Sequence, residues 1–130
     1  MKIFIGQAVT GENIPEIKKE LVEVYTTLEK AGHDVYDTLR DGPKELGDRP
    51  KDERLEYAFQ RIDERDTFLA IIRSERRSEG LSKEWEYARS KGKRMLAVVR
   101  EDISSPLEKE AEIVRCYKDK KDLVNQLREL

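Results

Sequence analysis

Glu84 is the residue of this chain best placed to do chemistry. It closes the stretch Ser78-Glu79-Gly80-Leu81-Ser82-Lys83-Glu84, set between the apolar run Phe68-Leu69-Ala70-Ile71-Ile72 and a helical pattern over residues 85–91. Serine and glycine between a buried run and a helix read as a strand-to-helix turn, and an open α/β sheet presents its ligand site beyond the carboxyl ends of its strands. At roughly 100° per helical residue, Glu84 falls about 50° from the centre of the Leu81/Trp85/Ala88 stripe, whereas Glu86 points well away. The free N–H groups of a helix's first turn favour negative charge, so Glu84 is expected to be ionised and Ser78 to help hold a phosphate. An ionised carboxylate facing a pocket is a candidate nucleophile. In so charged a chain, geometry alone favours an ordinary solvated glutamate, and the choice needs more residues.

Those residues must be positioned by a fold, and composition bounds it. The chain has 130 residues, enough for one domain, residues 1–130, to bury a sizeable core. Charged residues make up 42% of the sequence, yet the formal net charge is only -2, so acids and bases are interspersed and no strong field is aimed at a nucleic acid polymer. A single cysteine, Cys116, rules out an internal disulfide and a Cys-rich metal site, fits a reducing cytoplasmic compartment, and is read as a small buried residue. No apolar run suits a signal peptide or a membrane span. Neither metal nor cofactor is expected.

Hydrophobic spacing predicts alternating strands and helices. Residues 2–6 form a first strand that stops at Gly6, followed by the small and polar loop of residues 7–12. Asn13, Pro15 and Glu16 start a helix whose apolar side is Ile14, Ile17, Leu21, Val24, Tyr25 and Leu28, ended by Gly32. Residues 34–36 give a short second strand, and residues 41–50 a long irregular loop. Leu55, Ala58, Phe59 and Ile62 mark a second helix, and residues 67–72 the clearest buried strand. The Glu84 helix stops at Gly92, residues 95–99 form the fourth strand, and Ser105-Pro106-Leu107-Glu108 starts a helix with Leu107, Ala111 and Val114 on its apolar side. Residues 115–117 read as an edge strand, with Leu123, Leu127 and Leu130 on a last helix. This alternation predicts an α/β, flavodoxin-like three-layer sandwich: a five-stranded parallel sheet with helices on both faces. Its crevice, outside strands one and three, would join residues 6–12 to residues 73–84.

The stretch from Asp66 through the buried strand, then Gly80 to Ala88 around Glu84, then Gly92-Lys93 before Met95-Leu96-Ala97-Val98, resembles the nucleoside 2-deoxyribosyltransferase family and its relatives, the 2'-deoxynucleoside 5'-phosphate N-hydrolases. The resemblance covers the first strand and its loop and runs over residues 66–99. It implies that Glu84 is the nucleophile that attacks the anomeric carbon of a 2-deoxyribosyl group, forming a covalent sugar ester that water or an incoming base resolves. It also implies that Gly6, Gln7, Ala8 and Gly11 of the first loop, with Ser78, Gly80 and Ser82, bind a small nucleotide or nucleoside. Serine at position 78 points to a monophosphate. A homodimer or larger homo-oligomer is implied in the same way.

Three positions depart from the family pattern. Gln7 stands where the hydrolase branch has serine, Glu86 where a glycine is usual, and Ala58 where an aspartate contacts the base. Of the nearby acids, Asp63 belongs to a helix surface, which leaves Asp66 as the second catalytic candidate beside Glu84, although it also suits the strand entrance. Arg73, Arg76 and Arg77 could neutralise a phosphate or form a solvated loop, and His33 after a helix-ending glycine suits structure better than catalysis. The expected activity is hydrolysis or transfer at an N-glycosidic bond. The competing reading, favoured by Ala58 and Glu86, is a non-catalytic nucleotide-binding or interaction module on the same fold. A receiver-type signalling domain ranks third, because Gly6-Gln7 offers no acidic cluster for magnesium.

Overall fold

Strands with apolar residues at consecutive positions must be covered on both sides, and the chain does this with helices. The computed structural model describes residues 1–8, 12–47, 49–76 and 78–130, those of 43–46 by their backbone alone. Five parallel strands, β1 (Lys2–Gln7), β2 (Asp34–Asp37), β3 (Thr67–Ile72), β4 (Arg94–Arg100) and β5 (Ile113–Tyr117), pair in the order β2-β1-β3-β4-β5. This is the expected flavodoxin-like order, and its direction reverses between β1 and β3, opening a crevice at their carboxyl ends.

Because strand side chains alternate, the inner strands β1, β3 and β4 each feed two cores. Ile3 and Ile5 of β1, Leu69 and Ile71 of β3 and Leu96 and Val98 of β4 point to one face, where they meet Leu21, Val24 and Leu28 of α1 (Ile14–Lys30) and Leu123 and Leu127 of α5 (Lys120–Arg128). Phe4, Phe68, Ala70, Ala97 and Val99 point to the other, under Ala58 and Ile62 of α3 (Lys51–Asp63) and Leu81, Trp85 and Ala88 of α4 (Glu79–Ser90). Trp85 packs edge-on against Phe68 with centroids 5.7 Å apart. Its indole Nε1 is buried without a hydrogen-bond partner among the described residues. The helix stops follow the sequence: Gly32 and Gly92 adopt φ of 91° and 72°, where a side chain would be strained. Gly6 is required for another reason, since a Cβ there would collide with the Phe68 ring and press on Leu81 Cδ1 at 3.0 Å.

Three expectations are corrected. The stretch expected as an irregular loop is largely a helix, α2 (Thr38–Leu46). Asp37 starts it: its Oδ1 accepts from Leu39 N at 2.9 Å, while Asp41 Oδ2 accepts from Asp37 N at 3.1 Å, a reciprocal arrangement that outweighs Gly42 and Pro43. The helix expected after Ser105 is one 3-10 turn, Pro106–Lys109, although the capping box forms as read. β-branched Ile113 and Val114 then go to β5, drawn in by Glu112 N, which donates to Met95 O at 2.7 Å. Cys116, on that edge strand, is exposed rather than buried. His33 fills a structural place: the terminal amine of Met1 lies 3.0 Å from its Nδ1, and burial first, then that amine's charge, lowers its pKa. No helix among the described residues is long and apolar enough to cross a membrane.

Candidate active site

The carboxyl edge of the sheet carries a buried polar network. Asp37, the last residue of β2, is fully buried. Its Oδ2 accepts from Gln7 Nε2 and from Tyr25 Oη, each at 2.6 Å, so β1, β2 and α1 converge on one carboxylate. Gln7 Oε1 in turn accepts from Arg73 Nη1 at 2.7 Å, and Arg73, just past β3, pairs through Nη2 with Glu20 Oε1 at 2.7 Å. Each end of the Gln7 amide therefore has a partner of matching sign, which fixes its orientation. Arg73, one of the candidate phosphate cations, is consumed by this scaffold. Arg76 is exposed, and Arg77 lies outside the described residues.

Next to this network, on the α3 and α4 side, lies a cavity of about 500 Å³. Thr38 and Leu39 of α2 form one wall, Arg54 and Leu55 of α3 a second, and Gly80 and Glu84 of α4 a third. Gly80 and Glu84 share this face because they are four residues apart on the helix. Ser78 caps α4, its Oγ accepting from Leu81 N at 3.2 Å, which fixes where the helix begins and hence where Glu84 points.

Glu84 does not carry the charge state that its place near a helix start suggests. Loss of water around the side chain, and then the charge of Asp37, push its pKa up to about 8. Asp37 itself is pushed up to about 6 by burial, against the opposing pull of its hydrogen bonds from Tyr25 and Leu39 N. Burial and the same carboxylate raise the Tyr25 phenol far above its ordinary range, so it remains a donor. The two carboxylates titrate at different pH in one site, an arrangement found where acid and base roles are divided.

Of the residues expected at the site, Gly80 and Glu84 line the cavity, and Glu86 faces solvent as read. Gly6 and Gln7 stand at the same edge, Gly6 against Leu81 and Gln7 on Asp37, with Ala8 following them in the chain; they support the floor rather than line the cavity. Ser82 turns away to a separate shallow depression shared with Glu86. Gly11 lies outside the described residues. Asp66, the second catalytic candidate, is placed apart from these residues. It precedes β3, at the amino edge of the sheet, where its carboxylate accepts from Lys2 N at 3.1 Å and Thr67 Oγ1 at 2.6 Å; those bonds, led by Thr67, lower its pKa. It is not among the residues that line the cavity with Glu84. Asp63 accepts from Tyr87 Oη at 2.8 Å on the surface, and Ala58 is packed in the core. Among the described residues no cluster of His, Cys, Asp or Glu is arranged to hold a metal ion.

Asp37 and Tyr25 are the residues that sequence reasoning missed. In the sequence Tyr25 reads only as part of an apolar stripe, and the spacing ends the second strand at Tyr36, one residue before the structure does. An acid placed directly after the apolar pair of a short strand, at the ligand edge of a parallel sheet, was the available signal.

No family model matches the sequence, and no curated protein matches it. Solved structures do. A CMP N-glycosidase of Clostridium botulinum, BcmB, superposes with a TM-score of 0.75 over 100% of both chains at 18% identity. A 2-deoxyribosyltransferase of Bacillus psychrosaccharolyticus superposes with a TM-score of 0.71 over 96% of this chain and 91% of that one at 17% identity. The chain therefore has the fold of the nucleoside 2-deoxyribosyltransferase-like proteins.

Proposed function

We propose that the protein cleaves the N-glycosidic bond of a nucleotide or nucleoside, deoxyribosyl substrates foremost, with Glu84 as nucleophile. The observation that carries this reading is Glu84, held by a capped helix, opening on a 500 Å³ cavity at the carboxyl edge of the sheet and raised in pKa by its burial and by a buried second carboxylate. The cavity is of a size that takes a small ligand of this kind. Two proteins of the same fold are named for breaking an N-glycosidic bond and for moving a 2-deoxyribosyl group.

In this mechanism the ionised Glu84 attacks the anomeric carbon on the face opposite the base. The carbon–nitrogen bond breaks, its electron pair leaves with the base, and a sugar ester of Glu84 forms. Water then attacks the same carbon from the vacated face, releasing the sugar and restoring the carboxylate; a second base in place of water gives transfer. Asp37 touches neither partner. It holds Gln7 and Tyr25 in place and adds, after burial, to the proton affinity of Glu84.

The test is incubation with deoxynucleosides and their monophosphates, with released base measured by chromatography. Base release is expected, and Glu84→Gln should reduce it by at least about a thousandfold. Release that survives this substitution removes Glu84 from its role. Since the attacking form is the carboxylate and its pKa is about 8, kcat/KM should climb with pH through that value. One observation favours a second reading, a nucleotide-binding module without catalysis: position 58 of α3 holds a buried alanine and no acid, and binding with no release would select it.

A further inference from the structure

If the bond is cleaved as proposed, the departing base needs either a proton or a countercharge. The face of α3 that reaches the cavity offers the second. Ala58 is buried against the sheet, and Arg54, one helical turn earlier on the same face, lines the cavity together with Glu84. Its guanidinium is anchored by Nη2, which donates to Gly47 O at 2.8 Å, and no carboxylate is paired with it among the described residues. This sets Arg54 apart from Arg40, Arg61, Arg65, Arg73, Arg89 and Arg100, each of which holds an acid. Asp52 and Glu79 also line the cavity, but Glu79 is paired with Lys83 at 3.0 Å.

We infer that Arg54 stabilises the base as it departs as an anion, which makes the protein selective for N-glycosides of dioxopyrimidines of the uracil type over those of cytosine. This rests on the N-glycosidase reading above and sharpens its substrate class. As the Glu84 carboxylate bonds to the anomeric carbon, the electron pair of the breaking bond passes into the ring and onto the 2-oxo group. A planar guanidinium meets charge on such an oxygen with two N–H donors. No proton moves in this step; the anion takes one from water after release. A uracil-type anion spreads its charge over two carbonyl oxygens. Cytosine has one carbonyl and an amino group, so it leaves poorly without a proton donor.

The experiment measures kcat/KM for a series of 2'-deoxyuridine substrates, as nucleosides and as monophosphates, carrying 5-fluoro, 5-bromo, hydrogen or 5-methyl, with the cytosine counterparts alongside. The wild type should favour uracil over cytosine by at least about tenfold, and should speed up as the 5-substituent makes the base more acidic. Arg54→Met should lose about a hundredfold on the uracil substrates, depend more steeply on base acidity, and lose far less on cytosine. Arg54→Lys should recover part of the loss, since charge without the planar fork remains. Arg54 is exposed, and an unchanged thermal midpoint would confirm that these variants fold. Equal rates for uracil and cytosine, or an Arg54→Met effect that is absent or the same for every base, would overturn the inference while leaving Glu84 its role. No release from any substrate would overturn the parent reading and this one with it.

Discussion

Asp37 shows how one residue decides what its neighbour can do. Glu84 was legible because strand, glycine turn and helix announce a site in any parallel sheet. Its ionisation was misjudged because a helix start was weighed without the buried carboxylate across the floor. Asp37 lies 47 positions away in sequence (84 − 37), and the pairing of β1 with β2, with α4 packed on β1, brings the two together. Its charge is one of the two causes that hold Glu84 near 8, so Asp37→Asn should move the rising limb of the kcat/KM pH profile to lower pH by about one unit. The charged and titratable groups facing Asp37 are Tyr25 of α1, Asp41 of α2, Arg73 beyond β3 and Glu84 of α4. Arg73 is locked to Glu20 and Gln7, which leaves Glu84 the group most free to respond. A profile that does not move would mean that Asp37 acts only through packing and hydrogen bonds.

At the scale of elements, the sequence shows best where hydrophobic period and cap agree. α1 and α4 combine both, β3 is marked by its unbroken apolar run, and the structure places all three where the sequence does. α2 was hidden because its start signal is a pair of aspartates that bond to backbone across the strand end, a tertiary cue, while Gly42 and Pro43 argued locally against a helix. The turn at Ser105 fails in the opposite way. Its cap is complete, but β4 recruits residues 113–117 as an edge strand, which ends the helix after one turn. Close approach rather than turn geometry explains Gly6. Gly6→Ala would push the Phe68 ring, and with it α4, away from β1, and should cost about 1–3 kcal/mol in urea unfolding as well as activity, because Glu84 rides on that helix. Wild-type stability with wild-type activity would show that the ring can swing aside freely.

The whole molecule feels its site through pH. Asp37 and Glu84 both have folded-state pKa values above their unfolded ones, so the native state binds more protons than the unfolded chain. Their contribution to stability is fully present below about pH 4 and is lost as pH rises through about 6 and then about 8. Asp66, with its lowered pKa, runs the other way, its contribution being lost as pH falls towards the acid end. Glu84→Gln should therefore raise the unfolding free energy at about pH 9 by on the order of 1–3 kcal/mol, seen as a higher thermal midpoint, and change little at about pH 4. A gain equal at both would place the effect in packing.

Trp85, the chain's single tryptophan, sits one residue beyond Glu84 with its indole nitrogen buried and without a partner among the described residues, in the apolar layer under α4. The fold thus carries its own optical reporter. Indole emission should be blue-shifted in the native protein, move to the red when α4 leaves the sheet, and register in a single fluorescence trace the seating of the helix that bears the nucleophile.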